Sequence, residues 1–206
     1  AAKLNFSLDI LGIRPDGYHE MDMVMQTIDL FDDVELSEAG TVSVFSDGSP
    51  DGPENLAWKA AEAFFRVAKR SGGARIRLTK RIPVQAGMAG GSANAAAVLI
   101  GLNALYDARL SPEALRDAGL SVGADVPYCL IGGTARVRGI GEIVEPMPPF
   151  LSGYLVVAKP AIGISTAEAF AIPISPPSFP SWKKDSWTPF LSLWKTYWSS
   201  QSRTKR

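Results

Sequence analysis

Cysteine is scarce in this sequence, because Cys129 is the only one among 206 residues. An internal disulfide is therefore excluded, and a reducing, cytoplasmic setting is expected. The chain also contains no run of about 18 apolar residues, and it does not open with a cationic segment followed by an apolar one. These absences predict a protein without a membrane segment.

An excess of either charge is missing as well, since 21 basic residues balance 21 acidic ones. No stripe of lysine or arginine alternates with aromatic residues. Binding to a nucleic-acid polymer depends on such positive charge, because it displaces counterions from the phosphates. The composition therefore argues against a nucleic-acid polymer as partner and leaves a single nucleotide open. It does not fix the oligomeric state.

Apolar residues are plentiful at 46%, which suffices for a core in one domain, or in one domain plus an incomplete second. Hydrophobic periodicity predicts the α+β class, with several strands and few helices. Strands are predicted at Lys3 to Leu11, Met21 to Leu30, Asp33 to Leu36, Thr41 to Phe45, Ala74 to Ile82, Tyr128 to Ile131, Ala135 to Arg138, Glu142 to Val144 and Tyr154 to Lys159. Helices are predicted at Asn55 to Lys69, ended by Gly72-Gly73, at Ala95 to Tyr106, and between an N-cap at Ser111 and a C′ glycine at Gly119.

A glycine-rich loop, defined here as Pro83 to Asn94, lies between a predicted strand and a predicted helix. Its sequence is P-V-Q-A-G-M-A-G-G-S-A-N. Glycines let backbone N–H groups converge, and the following helix adds unpaired donors and the positive end of its dipole. The loop therefore predicts an anion site for a nucleotide phosphate. The alternative is a tight turn in which the glycines serve only positive φ and close packing.

The glycine spacing excludes two common phosphate loops. No lysine follows Gly91 as in G-x-x-x-x-G-K-[ST], and Gly87, Gly90 and Gly91 do not fit G-x-G-x-x-G. Three other regions accompany the loop: A-A-K-L-N-F with R-P-D-G-Y-H at the start, G-A-D-V-P from Gly123 to Pro127, and G-x-G-E-I from Gly139 to Ile143.

In this order and spacing, the segments resemble those of the GHMP small-molecule kinases. The resemblance runs from Ala1 to about Phe170. It is greatest for the branch that phosphorylates the 2-hydroxyl of 4-diphosphocytidyl-2-C-methyl-D-erythritol with ATP, in non-mevalonate isoprenoid precursor synthesis. It implies a GHMP kinase N-terminal domain of the ribosomal-protein-S5-domain-2-like fold, with the C-terminal domain missing or incomplete.

The resemblance also implies catalytic roles for Lys3 and Asp125. Phosphoryl transfer requires positioned oxygens and neutralised charge, which an amide-rich loop, a cation and a carboxylate provide. Asp125 would take the proton from the substrate hydroxyl, and Lys3 would stabilise charge near the transferring group. The alternatives are an N-cap or turn aspartate and a solvated lysine at a frayed end.

ATP and Mg²⁺ are the cofactors that the resemblance implies. Magnesium would bridge phosphates and keep most of its waters; no protein ligand is assigned, and Ser92 is the nearest candidate. Asn55 matches a position near the adenine, although an asparagine before a helix is also expected as a cap. The full set implied in ATP binding is Asn55, Pro83, Val84, Gln85, Ala86, Gly87, Met88, Ala89, Gly90, Gly91, Ser92 and Asn94.

By the same resemblance, five residues would bind the cytidine diphosphate substrate. They are Asn5, Tyr18, His19, Thr166 and Phe170. Tyr18 and Phe170 would stack on the cytosine, and His19 would hydrogen-bond its edge, a combination that selects one base. Homoserine, mevalonate or sugar substrates of other GHMP kinases carry no base to stack on.

The predicted domains are residues 1–160 as the ATP-binding domain, 161–174 as the start of a substrate-side region, and 175–206 as an atypical tail. Prolines cluster from Pro173 to Pro180, four of the five tryptophans lie from Trp182 to Trp198, and no glycine follows Gly163. The tail would be a foreign or altered end, or an aromatic stripe that docks on a partner or membrane surface. The alternative function is accordingly an inactive nucleotide-binding remnant or an interaction module.

Overall fold

A computed structural model describes residues 1–149 and 153–158, all within one compact unit, Ala1–Ile164. This described part contains seven strands and four helices. In chain order they are β1 Lys3–Ile13, β2 His19–Thr27, β3 Asp33–Ala39, β4 Ser43–Ser46, α1 Leu56–Ala68, β5 Gly73–Thr79, α2 Gly90–Leu105, α3 Pro112–Leu120, α4 Val126–Ile131, β6 Thr134–Gly139 and β7 Ile143–Met147. The predicted α+β class is confirmed.

The larger sheet has four antiparallel strands in the order β1-β2-β6-β7. Its first hairpin closes through the predicted Pro15-Asp16-Gly17 turn, where Gly17 has φ +86° and the Arg14 N–H donates to the Tyr18 carbonyl at 2.7 Å. Pro146 lies in the edge strand β7. An edge position suits proline, because its missing N–H is not needed by a further strand.

The smaller sheet has the order β3-β5-β4, with β5 antiparallel to β3 and parallel to β4. In β5, Ala74, Ile76 and Leu78 are buried whereas Arg75 and Arg77 are exposed, as the predicted alternation requires. The buried face packs with α1 and α2 in one core that includes Phe64 and Leu99. Each such large side chain contributes roughly 1.5–3 kcal/mol by leaving water.

Two helix ends differ from the sequence predictions. The α1 helix ends before Gly72-Gly73, because Lys69 takes the left-handed conformation and the Arg70 N–H donates to the Phe65 carbonyl at 3.1 Å. Gly119 does not end α3. It is buried within the helix, where a Cβ atom would lie 2.8 Å from Val126 Cγ1, so glycine serves close packing there. The Ser111 cap of α3 is confirmed.

Two predicted strands are wrong. Residues 128–131 belong to α4, because the turn at residues 123–125 and Pro127 in the first helical turn start a helix. A short apolar run such as Y-C-L-I fits a strand or a buried helix equally well. Residues 154–158 form no strand, and Lys159 lies outside the described residues. The helix α2 also begins at Gly90 instead of Ala95, which places part of the glycine-rich loop inside it.

Candidate active site

The structure brings Lys3 and Asp125 together from distant parts of the chain. Lys3 Nζ lies 3.7 Å from Asp125 Oδ2, and it donates a 2.8 Å hydrogen bond to Asn5 Oδ1. The Lys3 side chain is 8% exposed and the Asp125 side chain 34% exposed. The ammonium is therefore held inside the protein while the carboxylate remains open to a ligand.

Backbone hydrogen bonds fix the position of Lys3. The Lys3 N–H donates to the Met88 carbonyl in the glycine-rich loop at 3.1 Å, and the Ala2 N–H donates to the Leu30 carbonyl at 2.7 Å. Ala2 also packs in a small core with Ile82, Met88 and Ala93. The alternative of a solvated lysine at a frayed end is therefore wrong. The same bonds attach the start of β1 to the loop that is predicted to bind phosphate.

Asp125 occupies the N-cap position of α4, but its side chain makes no capping hydrogen bond. The alternative of an N-cap aspartate is confirmed for the backbone position, while the carboxylate is not used as a cap. Helix α4 is anchored through Tyr128, its third residue, whose hydroxyl is 3.0 Å from Thr27 Oγ1 and donates to the Gly133 carbonyl, just beyond the helix, at 2.7 Å. This anchoring positions the Asp125 carboxylate while leaving its oxygens free of the helix.

The neighbouring titratable groups on α4 carry no charge at neutral pH. Burial, and next the charge of nearby Asp125, together raise the pKa of the Cys129 thiol to about 12. Burial likewise raises the pKa of Tyr128 to about 12. A neutral thiol at Cys129 is unsuited to act as a nucleophile. Lys3 and Asp125 are therefore the charged groups at this position in the part of the chain that the structure describes.

Three residues in the left-handed conformation shape the glycine-rich loop: Gln85, Gly87 and Ala89, with φ of 54°, 68° and 56°. Ala89 is the N-cap of α2 and supplies no side-chain cap. The first N–H groups of a helix have no partner within the helix, so the start of α2 presents backbone donors from Gly90 onward. Such a terminus favours anions.

Residues of the glycine-rich loop differ in their exposure to solvent. The exposed residues are Pro83, Val84, Gln85, Gly87 and Gly91; Ala86, Ala89 and Gly90 are half-buried; Met88, Ser92 and Asn94 are buried. Ser92 faces the G-A-D-V-P segment, since its Oγ lies 3.9 Å from the position of a Cβ atom at Gly123. The loop and Asp125 therefore approach each other through Ser92 and Gly123.

Asn55 acts as the N-cap of α1. Its Oδ1 accepts from the Ala57 N–H at 2.9 Å, and its Nδ2 donates to the Pro50 carbonyl at 2.8 Å and to Ser49 Oγ at 3.1 Å. The capping alternative is confirmed. Contact with adenine stays a prediction, and it would use a residue whose side chain already serves the fold.

Tyr18 and His19 lie at the far end of the first hairpin. His19 pairs with Ile13, whereas Lys3 pairs with Thr27 at the other end of β1. Tyr18 is 60% exposed, as a stacking residue would need to be. The predicted catalytic residue Lys3 and the predicted substrate-binding residues Tyr18 and His19 therefore lie at opposite ends of the hairpin. Two bulges in β1 interrupt the strand between them.

The G-x-G-E-I segment connects the Asp125 region with the turn that carries Tyr18. Gly141 has φ +127°, and a Cβ atom there would overlap the carbonyl of Ala124, next to Asp125. The adjacent Glu142 lies 3.6 Å from Arg14 Nη1, at the base of the turn that carries Tyr18. Arg14 also contacts Asp16 at 3.2 Å and Glu20 at 3.4 Å. The segment is recognisable in the sequence as a motif, but its residues do not indicate that it connects Asp125 with the turn.

Sequence reasoning also missed a buried ion pair between Asp32 and Lys80. Their side chains are 1% and 8% exposed, and Lys80 Nζ lies 3.4 Å from the position of a Cβ atom at Gly90. Lys80 belongs to an alternating basic and apolar segment and was read as part of a half-buried strand. The D-D pair at residues 32–33 gave no signal that one of the two carboxylates is buried.

Comparison with known proteins shows similarity to one family. The sequence model described as the GHMP kinases N terminal domain matches residues 55–133. The chain is 49% identical over 173 residues to the 4-diphosphocytidyl-2-C-methyl-D-erythritol kinase of Alkaliphilus metalliredigens, which covers 82% of this chain and 60% of that protein. The chain contains a GHMP kinase N-terminal domain.

Other GHMP kinases give the same result. The enzyme of the same name from Carboxydothermus hydrogenoformans is 50% identical over 171 residues, covering 82% of this chain and 59% of that protein. A crystal structure of 4-(cytidine 5'-diphospho)-2C-methyl-D-erythritol kinase superposes with a TM-score of 0.60 at 40% identity, covering 71% of this chain and 53% of the other. The chain spans about 60% of the length of the curated relatives that it matches. The predicted GHMP kinase N-terminal domain is confirmed.

Some predicted residues and domain boundaries lie outside the described residues. Thr166, Phe170 and the boundaries within residues 161–206 fall beyond the described ranges. Within those ranges, no three His, Cys, Asp or Glu side chains are placed to share a metal ion. None of the helices at 1–149 has the length and hydropathy that crossing a bilayer requires.

Proposed function

We propose that this chain takes part in the ATP-dependent phosphorylation of the 2-hydroxyl of 4-diphosphocytidyl-2-C-methyl-D-erythritol, a step in non-mevalonate isoprenoid precursor synthesis. The observation that carries the proposal is the Lys3–Asp125 pair, attached to the glycine-rich loop through the bond from the Lys3 N–H to the Met88 carbonyl. A cation, a carboxylate and a row of backbone donors are the parts that phosphoryl transfer requires.

In this proposal each group of residues at the site has its own role. Backbone N–H groups at the start of α2 bind the ATP phosphates. The Asp125 carboxylate orients the substrate hydroxyl and accepts its proton, and the Lys3 ammonium, oriented by Asn5, neutralises charge on the transferring group. The exposed Tyr18 and the adjacent His19 bind the cytosine, with Thr166 and Phe170 contributing from the substrate-side region.

Magnesium fits this site through oxygen donors. When bound with ATP it neutralises phosphate charge and keeps most of its waters. Ser92, a buried hydroxyl of the loop that faces Gly123, is the side chain that would hold the ion. Small molecules, ATP and the cytidine diphosphate substrate, are the proposed ligands.

The test is product formation by the full 206-residue chain with ATP and the cytidine substrate. Asp125→Asn removes the proton acceptor but keeps the shape of the side chain, so kcat should fall by about 10²–10⁴-fold with little change in ATP affinity. Asp117→Asn, at an exposed position on α3, is the matched control and should keep kcat within about twofold.

Three results are informative. Loss of turnover in Asp125→Asn alone supports the proposal. A chain that binds ATP without turnover supports the alternative of a nucleotide-binding module. A chain that neither binds ATP nor forms product contradicts both.

A further inference from the structure

The buried pair of Asp32 and Lys80 lies next to residues 81–82, which lead into the glycine-rich loop. Asp32 Oδ1 accepts from the backbone N–H of Arg81 at 2.7 Å and of Ile82 at 2.8 Å, while its Oδ2 contacts Lys80 Nζ. One carboxylate thus holds both backbone donors of the two residues that precede Pro83. These three donors satisfy the Asp32 carboxylate, which is almost completely shielded from solvent.

Lys80 continues this contact towards the helix. Its Nζ lies 3.4 Å from the position of a Cβ atom at Gly90, the first residue of α2. Ile82, which Asp32 also holds, packs at the same place, with Cγ2 3.0 Å from that position. The ion pair therefore lies next to residues 81–82, which precede the loop, and next to Gly90, where α2 begins.

We infer that Asp32 and Lys80 are positioning residues for the phosphate-binding loop, a role that rests on the proposed function. The Lys80 ammonium is paired with an Asp32 carboxylate that is 1% exposed, whereas the Lys3 ammonium is paired with an Asp125 carboxylate that is 34% exposed and open to a ligand. The Asp32–Lys80 pair instead fixes the distance between residues 81–82 and Gly90, and so the direction in which the N–H groups of α2 point.

The neighbouring pair of Asp33 and Arg81 provides a matched control. It also joins an aspartate and a basic residue, each one position further along the chain, with Arg81 Nη2 2.6 Å from Asp33 Oδ2, but its side chains are 48% and 50% exposed. Replacing Arg81 removes a cation next to Lys80 in the sequence and leaves the buried pair beside Gly90 in place.

The experiment compares the affinity of the full chain for ATP and for AMP by titration calorimetry. AMP lacks the β- and γ-phosphates that the loop is expected to bind. Lys80→Met should weaken ATP binding at least tenfold and AMP binding less than threefold, whereas Arg81→Met should change both by less than twofold. A variant with Asp32→Asn and Lys80→Met together leaves no unpaired buried charge, and it keeps the experiment decisive if the single variant does not fold.

The outcomes separate the two proposals. Folded variants that bind ATP as tightly as the unchanged chain would overturn the positioning role alone. An equal loss of ATP and AMP affinity would also overturn it, because the pair would then act on the whole nucleotide site. Failure of the unchanged chain to bind ATP would instead contradict the proposed function itself.

Discussion

Individual side chains in this protein have roles that depend on their degree of burial. Lys3 and Lys80 are both enclosed ammonium groups paired with aspartates, but Asp125 is 34% exposed whereas Asp32 is 1% exposed. Only the first pair has a carboxylate that a substrate can reach. The second has its carboxylate occupied by two backbone N–H donors and an ammonium, which suits support of the loop.

The protonation of Asp32 gives a prediction at this scale. Burial alone would raise the pKa of the Asp32 carboxyl, but hydrogen bonds from Lys80 and from the Ile82 and Arg81 N–H groups outweigh it and lower the pKa. The unfolded chain then binds a proton at about pH 3.9, before the folded chain does. The stabilisation is therefore complete above that pH and is lost as the pH falls through the lower pKa of the folded state.

Denaturant unfolding between pH 6 and about pH 2.5 measures this effect. We expect the unfolding free energy of the unchanged chain to fall with decreasing pH by up to about 1.4 kcal/mol per pH unit more steeply than that of Asp32→Asn. Asp33→Asn, the exposed neighbour, should keep the slope of the unchanged chain more closely. Equal slopes for the unchanged chain and Asp32→Asn would contradict the lowered pKa.

At the scale of elements, tight turns position the site. The turn between β6 and β7 carries Gly141 against the Ala124 carbonyl, next to Asp125, and Glu142 against Arg14. The short helix α4 is fixed by the hydroxyl of Tyr128, its third residue. Asp125 is therefore placed from both sides, by a turn from one sheet and by the helix that it begins.

Gly141→Ala tests the role of this turn. The methyl group would overlap the Ala124 carbonyl at a φ of +127°, so the chain should lose roughly 1–3 kcal/mol of stability, and kcat should fall because Asp125 moves. Gly52→Ala is the control, because Gly52 has φ +90° but nothing within 4 Å of its Cβ position. If both variants lose the same stability and keep the same kcat, the Ala124 contact does not position Asp125.

At the scale of the whole described fold, α2 is the shared element. It contacts α1, α3, α4 and β3, and its first turn is part of the glycine-rich loop. Leu99 and Leu102 are fully buried on it, whereas Leu105 in its last turn is 38% exposed. Packing of the core and orientation of the loop therefore depend on the same helix.

Leu102→Ala is expected to destabilise the chain by about 2–5 kcal/mol, because it removes buried methyl groups and leaves a cavity. Leu105→Ala makes the same chemical change on the same helix at an exposed site and should cost less than about 1 kcal/mol. Denaturant midpoints and slopes measure both. Equal losses would show that α2 is not held chiefly by its buried face.

Much of this was predictable from sequence. Alternation in β5, the Asn55 and Ser111 caps and the Pro15-Asp16-Gly17 turn are local effects, so the residues concerned carry their own signal. Residues 128–131 were predicted wrongly, because four apolar residues do not distinguish a strand from a buried helix. The start of α2 was placed too late, because Gly90 and Gly91 look like loop residues while their small size permits contact with Ile82 and Leu56.

The amino-acid sequence by itself indicated the GHMP kinase N-terminal domain, through short segments that are recognisable without the fold. Only the tertiary structure decided which charged residues meet. Lys3 reaches Asp125, and Asp32 reaches Lys80, because strand pairing and helix packing close long stretches of chain between them. Burial then separates an open carboxylate from an enclosed one, and burial is a property of the surroundings that neither residue encodes locally.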